Sequence, residues 1–219
     1  DLLIFKNLTE TQNWLVWTRG VLATNQHLNL NTTNNIQTDA GSLNNTAPTS
    51  TVITIGADGR TNSTTDGKAH ICYVFKQVQG FSKFGKYTGN GTSQSITGLG
   101  FKPDFCWIKK TNSTGGAALV NSTVGGQKVI QSNANDVEGS TSPFQSFDND
   151  GFTLDNTSSY LGNFNGNTDS YVAWCWRATG GTTATNTSGT ITTTVQANQA
   201  AGFSIITYTG NDGSWGSGN

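Results

Sequence analysis

The stretch GFSKFGKYTGNGTSQSITGLGFKPDFCWIKK, residues 80–110, sets the reading of the whole chain, because its two halves recur elsewhere. The second half, PDFCWIKK, returns as DLLIFKN from Asp1, and the first half, GFSKFGKYTGN, returns as GFSIITYTGN ending at Asn211. An internal repeat is the first feature to establish, since it governs every later assignment. With an offset of about 103 residues, Asp1–Lys6 falls on Asp104–Lys109. NWLVW from Asn13 then falls near GAALV from Gly116, and TVITI from Thr51 near GFTLD from Gly151. HICYVFK at 70–76 falls on YVAWCWR at 171–177. The second copy carries an insertion at about 178–200, rich in Thr, Ala and Gly, as in a linker or an edge hairpin. The repeat predicts one unit over 1–98, closed by a strand at about 80–90, and a second over 99–219. The same phase in both copies implies a window on a tandem array or on a two-domain piece of one.

Composition fixes the class. Asn, Thr, Ser and Gly supply 105 of the 219 residues, and charged residues make up 11%. The usual charged share is about 25%. Six Trp, eleven Phe and five Tyr are concentrated in short runs such as HICYVF and YVAWCW. Disordered chains lack such aromatic and β-branched content. A net charge of −1 without basic runs argues against nucleic acid as a partner. No apolar stretch reaches the roughly 20 residues of a membrane-spanning helix, which argues against membrane insertion. The start shows no signal-peptide pattern, and no Met occurs, which implies a piece of a longer or processed chain. Three cysteines, Cys72, Cys106 and Cys175, lack zinc-type spacing, and two sit within aromatic strands as small hydrophobes.

Short apolar or alternating runs bounded by Gly, Asn and Asp predict strands near 2–6, 13–18, 51–56, 70–78 and 80–88 in the first unit. In the second they fall near 104–110, 116–121, 128–131, 151–155, 170–178 and 202–209. Several are continuous apolar runs, as in strands covered on both faces. No segment has a capped helical period. The expected fold is all-β, with two tandem antiparallel β-sandwich units, jelly-roll-like, as beads in series.

Chemistry is sparse. His27 lies in a polar loop and His70 opens a strand, and no nucleophile motif accompanies them. SFDNDGFTLD offers Asp148, Asp150 and Asp155 as hard oxygen ligands for Ca2+, the one cofactor candidate. The competing reading is a hairpin whose Asn-Asp-Gly turn is capped by these side chains, and the first unit has no carboxylates at the equivalent place. Nine N-x-S/T sequons, including Asn7, Asn62, Asn112 and Asn156, barely exceed the chance number for this composition. Exposed aromatics beside polar loops stack on sugar rings, with Trp14, Trp17 and Trp215 as candidates. Trp215, flanked by Asn211 and Asp212, is the expected exposed one. Core packing is the competing role for all of these aromatics.

The phrases GFSKFGKYTGNG, GLGFKPDFCWIKK, SFDNDGFTL and DSYVAWCWRA resemble a β-rich repeat domain found in tandem in virion-associated proteins of tailed bacteriophages, marine and cyanobacterial ones above all. The resemblance covers nearly the whole chain except Thr18–Ser50. It implies a virion structural or adhesive module in a tail, fibre or capsid-associated protein, without enzymatic activity. The implied partners are other virion proteins, copies of itself and a host surface glycan. The alternative is a carbohydrate-binding module or adhesin of a secreted or cell-surface bacterial protein. A depolymerising enzyme ranks last, because its paired carboxylates are not recognisable here.

Overall fold

A computed structural model of the protein describes residues 1–65, 67–156 and 164–211. It is all-β, with antiparallel pairing throughout the described strands. Sheet I comprises β1 (Leu2–Asn7), β2 (Leu15–Thr18), β3 (Gln26–Asn29), β4 (Gln37–Thr38) and β5 (His70–Phe75), in the order β4-β3-β2-β1-β5. β6 (Ser82–Thr88), β8 (Phe105–Lys110), β9 (Ala117–Asn121), β10 (Ile130–Gln131) and β13 (Ser170–Trp176) form sheet II, ordered β10-β9-β8-β13-β6. Sheet III is β11 (Phe144–Asp148), β12 (Gly151–Leu154) and β7 (Gln94–Thr97), in that order. A fourth sheet follows, built from β14 (Ala184–Asn186), β15 (Thr193–Asn198) and β16 (Phe203–Tyr208).

The repeat appears directly in the strand registers. Leu2 on β1 pairs with Phe75 on β5, and Phe105 on β8 pairs with Trp176 on β13. The Asp before each first strand caps the end of its partner. Asp1 accepts from the Gln77 N–H at 2.9 Å, and Asp104 accepts from the Ala178 N–H at 2.7 Å. The equivalent lysines also match. Lys6 Nζ donates to Gln12 O at 2.7 Å, and Lys109 Nζ donates to Gly115 O at 3.3 Å.

Packing departs from beads in series. Side chains alternate across a strand, so β13 serves two cores. Val172, Trp174 and Trp176 join Leu2, Ile4 and Val16 of sheet I, while Tyr171, Ala173 and Cys175 join Phe144, Phe152 and Leu154 of sheet III. Sheet II therefore lies between sheets I and III. The unbroken apolar run YVAWCW is the consequence of cover on both faces. Trp174 Nε1 donates to Thr18 Oγ1 at 2.8 Å within the first of these cores, joining the two units. Lys109, fully buried, also donates to Thr32 O at 2.8 Å, and Ser132 Oγ donates to Leu30 O at 2.7 Å.

Three stretches singled out in the sequence take definite places in the structure. The strand at 80–90, expected to close the first unit, is β6, and it pairs along its whole length with β13 of the second. The reason lies in its side chains: Phe84 packs on Trp176 at 5.2 Å, and Tyr87 stacks on Tyr171 at 5.1 Å. The turn at Val78–Ser82, with Gly80 at φ 77, carries the chain from sheet I to sheet II. Residues 51–56, expected as a strand, form irregular backbone with Val52 and Ile55 exposed. There the Thr49 hydroxyl accepts from the Val52 N–H at 3.0 Å, and Val52 O accepts from the Thr49 N–H at 2.9 Å, closing a local turn instead of a ladder. The insertion at 178–200 is an edge hairpin, β14 and β15, extended by β16.

Candidate functional site

The most built surface among the described residues follows the outer edge of sheet I, where β5 has β1 on one side and no strand on the other. Trp14 precedes β2 and Tyr73 lies on β5, and their rings stack at 6.4 Å with an interplanar angle of 18°. Asn31 holds this platform in place, its carbonyl accepting from the Trp14 N–H at 2.9 Å and its amide donating to Asn13 at 3.0 Å. A cleft of about 300 Å³ opens beside the platform, lined by Ile4, Trp14, Leu30, Tyr73, Trp107 and Ser132. A second, of about 400 Å³, lies between sheets I and II and includes Val74, Phe75, Trp107, Trp176 and Phe203. Trp107 lines both, and its indole N–H is buried without an acceptor. On the outer flank a shallow polar groove brings Asn7, Thr9, Glu10 and Thr11 alongside the same two rings. The chemistry on offer is apolar and aromatic, with amide and hydroxyl groups at its rim.

The sequence candidates fall in different places. Trp14 is half-buried and belongs to this platform, whereas Trp17 is buried and donates to Ala23 O at 3.0 Å. Trp215 and Asp212 lie outside the described residues, and Asn211 is exposed beyond β16. The three Ca2+ candidates sit at and beside the β11–β12 turn. Asp148 accepts from Ser146 and Thr153 hydroxyls at 2.7 Å each, capping the β11–β12 hairpin. Asp150 accepts from the Gly98 and Gly100 N–H groups at 3.0 and 2.6 Å, which holds its carboxyl below the usual range. Asp155 donates its backbone N–H to Pro143 O at 2.8 Å. Among the described residues no group of three or more His, Cys, Asp or Glu side chains converges on a metal position.

His27 belongs to a buried structural network. Arg60 reaches Asp58, Asp39 and the His27 Nε2, and Ser42 donates to Asp58 at 2.5 Å, pinning the 39–61 loop on β3. Burial, then the Arg60 charge, lowers the His27 pKa to about 4. Burial pushes the Asp58 carboxyl up, but hydrogen bonds from Arg60 and Ser42 outweigh it and hold it at about 2. His70 meets the Lys68 and Gly59 carbonyls at 3.2 and 3.3 Å, a strand-end role. Cys106 and Cys175 face each other across β8 and β13 as buried free thiols, and burial pushes the Cys106 pKa well up.

Sequence reasoning missed Tyr73 and Trp107, both inside runs read as core. The repeat gave the available signal: Tyr73 falls on Trp174, which is covered by β6, while Tyr73 itself is 44% exposed.

No curated protein and no solved structure matches the chain. One family model matches it twice, over residues 1–94 and 86–218, in agreement with two copies of one unit. The chain therefore belongs to the family described as "Domain of unknown function (DUF7483)".

Proposed function

We propose that this protein is a structural module of a repetitive extracellular assembly, a tail, fibre or capsid-associated component of a tailed-bacteriophage virion. The observation that supports the reading best is the shared core. The second unit's sheet II packs on the first unit's sheet I around Trp174 and Trp176, so tandem units are joined by buried surface as well as by a linker. Such units extend a structure as repeat proteins do, each contributing its own core and an interface with its neighbour. The low-charge Asn/Thr surface suits close packing against other virion proteins. The test is peptide mass spectrometry on purified particles. Peptides of this chain should co-purify with capsid and tail proteins, and their presence only in a capsid-free soluble fraction would overturn the assignment.

Attachment to a host glycan is the second role, and the Trp14–Tyr73 platform favours it. Two stacked, partly exposed rings beside Asn31, Thr9 and Thr11 offer apolar faces with adjacent amide and hydroxyl groups. This site joins Trp215, which lies outside the described residues, as a candidate. Binding on a glycan array should disappear in Tyr73→Ala. An array signal unchanged by that substitution would place any adhesive function elsewhere.

A further inference from the structure

We propose that the open edge of β5 is a docking site for the β16 strand of a second copy of this chain, in the register that β6 adopts on β13. The proposal rests on the repeat register and stands whether or not the assembly is a virus particle. β5 and β13 are equivalent, since each pairs with the Asp-capped first strand of its unit in matching register. β13 has a second partner, β6, along seven residue pairs from Ser170↔Thr88 to Trp176↔Ser82. β5 has none among the described residues. β16 is the sequence counterpart of β6, through YTGN, yet among the described residues it is paired only on its β15 side.

Unpaired edges are ordinarily blunted by shortness, charge, proline or bulges. The outer strands β4 and β10 have two residues each, and β14 has three, all exposed. β5 (HICYVF) and β16 (FSIITY) each have six residues and contain no Lys, Arg, Asp, Glu or Pro. Both present apolar side chains to solvent: Val74 is 60% exposed, Ile206 53% and Tyr208 67%. Aligning Tyr208 with Tyr87 and His70 with Tyr171 gives the expected register, in which Tyr208 faces His70, Ser204 faces Val74 and Phe203 faces Phe75. Ile205 then adjoins Tyr73 at the place where Phe84 adjoins Trp174. The added strand would lengthen sheet I and join it to the β14–β16 sheet. Repeated from copy to copy, this head-to-tail contact is heterologous and builds a ring or an open chain of molecules.

Two variants, Val74→Cys and Ser204→Cys, each carrying one accessible cysteine in a Cys72→Ala background that keeps the buried Cys106 and Cys175, are mixed and mildly oxidised. Directly paired strands place Cα atoms about 4.5–5.5 Å apart, within disulfide reach. The expected result is a Val74–Ser204 cross-linked heterodimer, with little cross-linking when Ile206→Cys replaces Ser204→Cys. Sedimentation should show concentration-dependent association of the unmodified chain, weakened at least about tenfold by Val74→Lys, while circular dichroism shows the variant folded. A chain that stays monomeric at high concentration, or cross-links without register preference, overturns the proposal. So does a monomer that instead binds a synthetic peptide of residues 80–90, which would give the β5 edge to a β6-type strand from a neighbouring repeat.

Discussion

Replacing Thr18 by Val tests the packing between the two units at one atom. The Thr18 hydroxyl accepts from Trp174 Nε1 at 2.8 Å, and the two residues are 0% and 1% exposed. Valine keeps the shape and removes the acceptor, leaving a buried indole N–H unsatisfied. That costs about 1–3 kcal/mol. At about 2–4 °C per kcal/mol for a chain of this size, a loss of about 2 kcal/mol lowers Tm by about 4–8 °C. The bond itself is isolated by a double-mutant cycle with Trp174→Phe, in which the cost of filling or emptying the site cancels. Urea unfolding followed by fluorescence and by far-ultraviolet circular dichroism should give a coupling of about 1–2 kcal/mol. Additive effects, within the roughly 0.3–0.5 kcal/mol expected of distant sites, would refute the face-to-face placement of sheets I and II.

Acid should destabilise the fold in two stages. His27 stays neutral in the fold down to about pH 4, whereas the unfolded chain takes up that proton near 6.5. Stability therefore falls between pH 6.5 and 4, by about 3 kcal/mol for a shift of this size, and His27→Asn should flatten that part of a Tm-versus-pH curve. Asp58, ionised in the fold down to about pH 2, extends the loss from its ordinary 3.8 to 2. Lys109 acts at the other end. Burial lowers its pKa to about 8 from 10.5, so the fold binds fewer protons than the unfolded chain between these values, and stability rises with pH there. Lys109→Met should abolish that rise in the same scan. Gly151→Ala would put a Cβ 1.8 Å from Ile96 O across the β12–β7 pair, and should cost more than about 2 kcal/mol in urea unfolding.

The repeat carried most of what the sequence could tell. Asp1 and Asp104, Lys6 and Lys109, and HICYVF and YVAWCW occupy equivalent places, as the offset implies. Strand membership was less legible. β3 and β7 are polar in sequence, QHLN and QSIT, and form because neighbouring strands offer open ladders and Leu28 finds a core. TVITI has strong β propensity but closes a local turn with Thr49 instead of a ladder, so tertiary context overrides it. Lys109 resembles a solvated lysine until Thr32 O, from the other unit, appears beside it. The candidate site was partly visible. Trp14 stood out as an aromatic beside polar loops, but its partner Tyr73 lies in a run whose twin is covered on both faces. Periodicity records which place a strand takes in the unit, and it does not record whether that place is covered.

Calorimetry on the intact chain tests the shared core most directly. Joined through Trp174, Trp176, Leu2 and Ile4, the two units should unfold in a single transition whose calorimetric and van't Hoff enthalpies agree. Two separate transitions, with Thr18→Val shifting only one of them, would show independent beads and contradict the account.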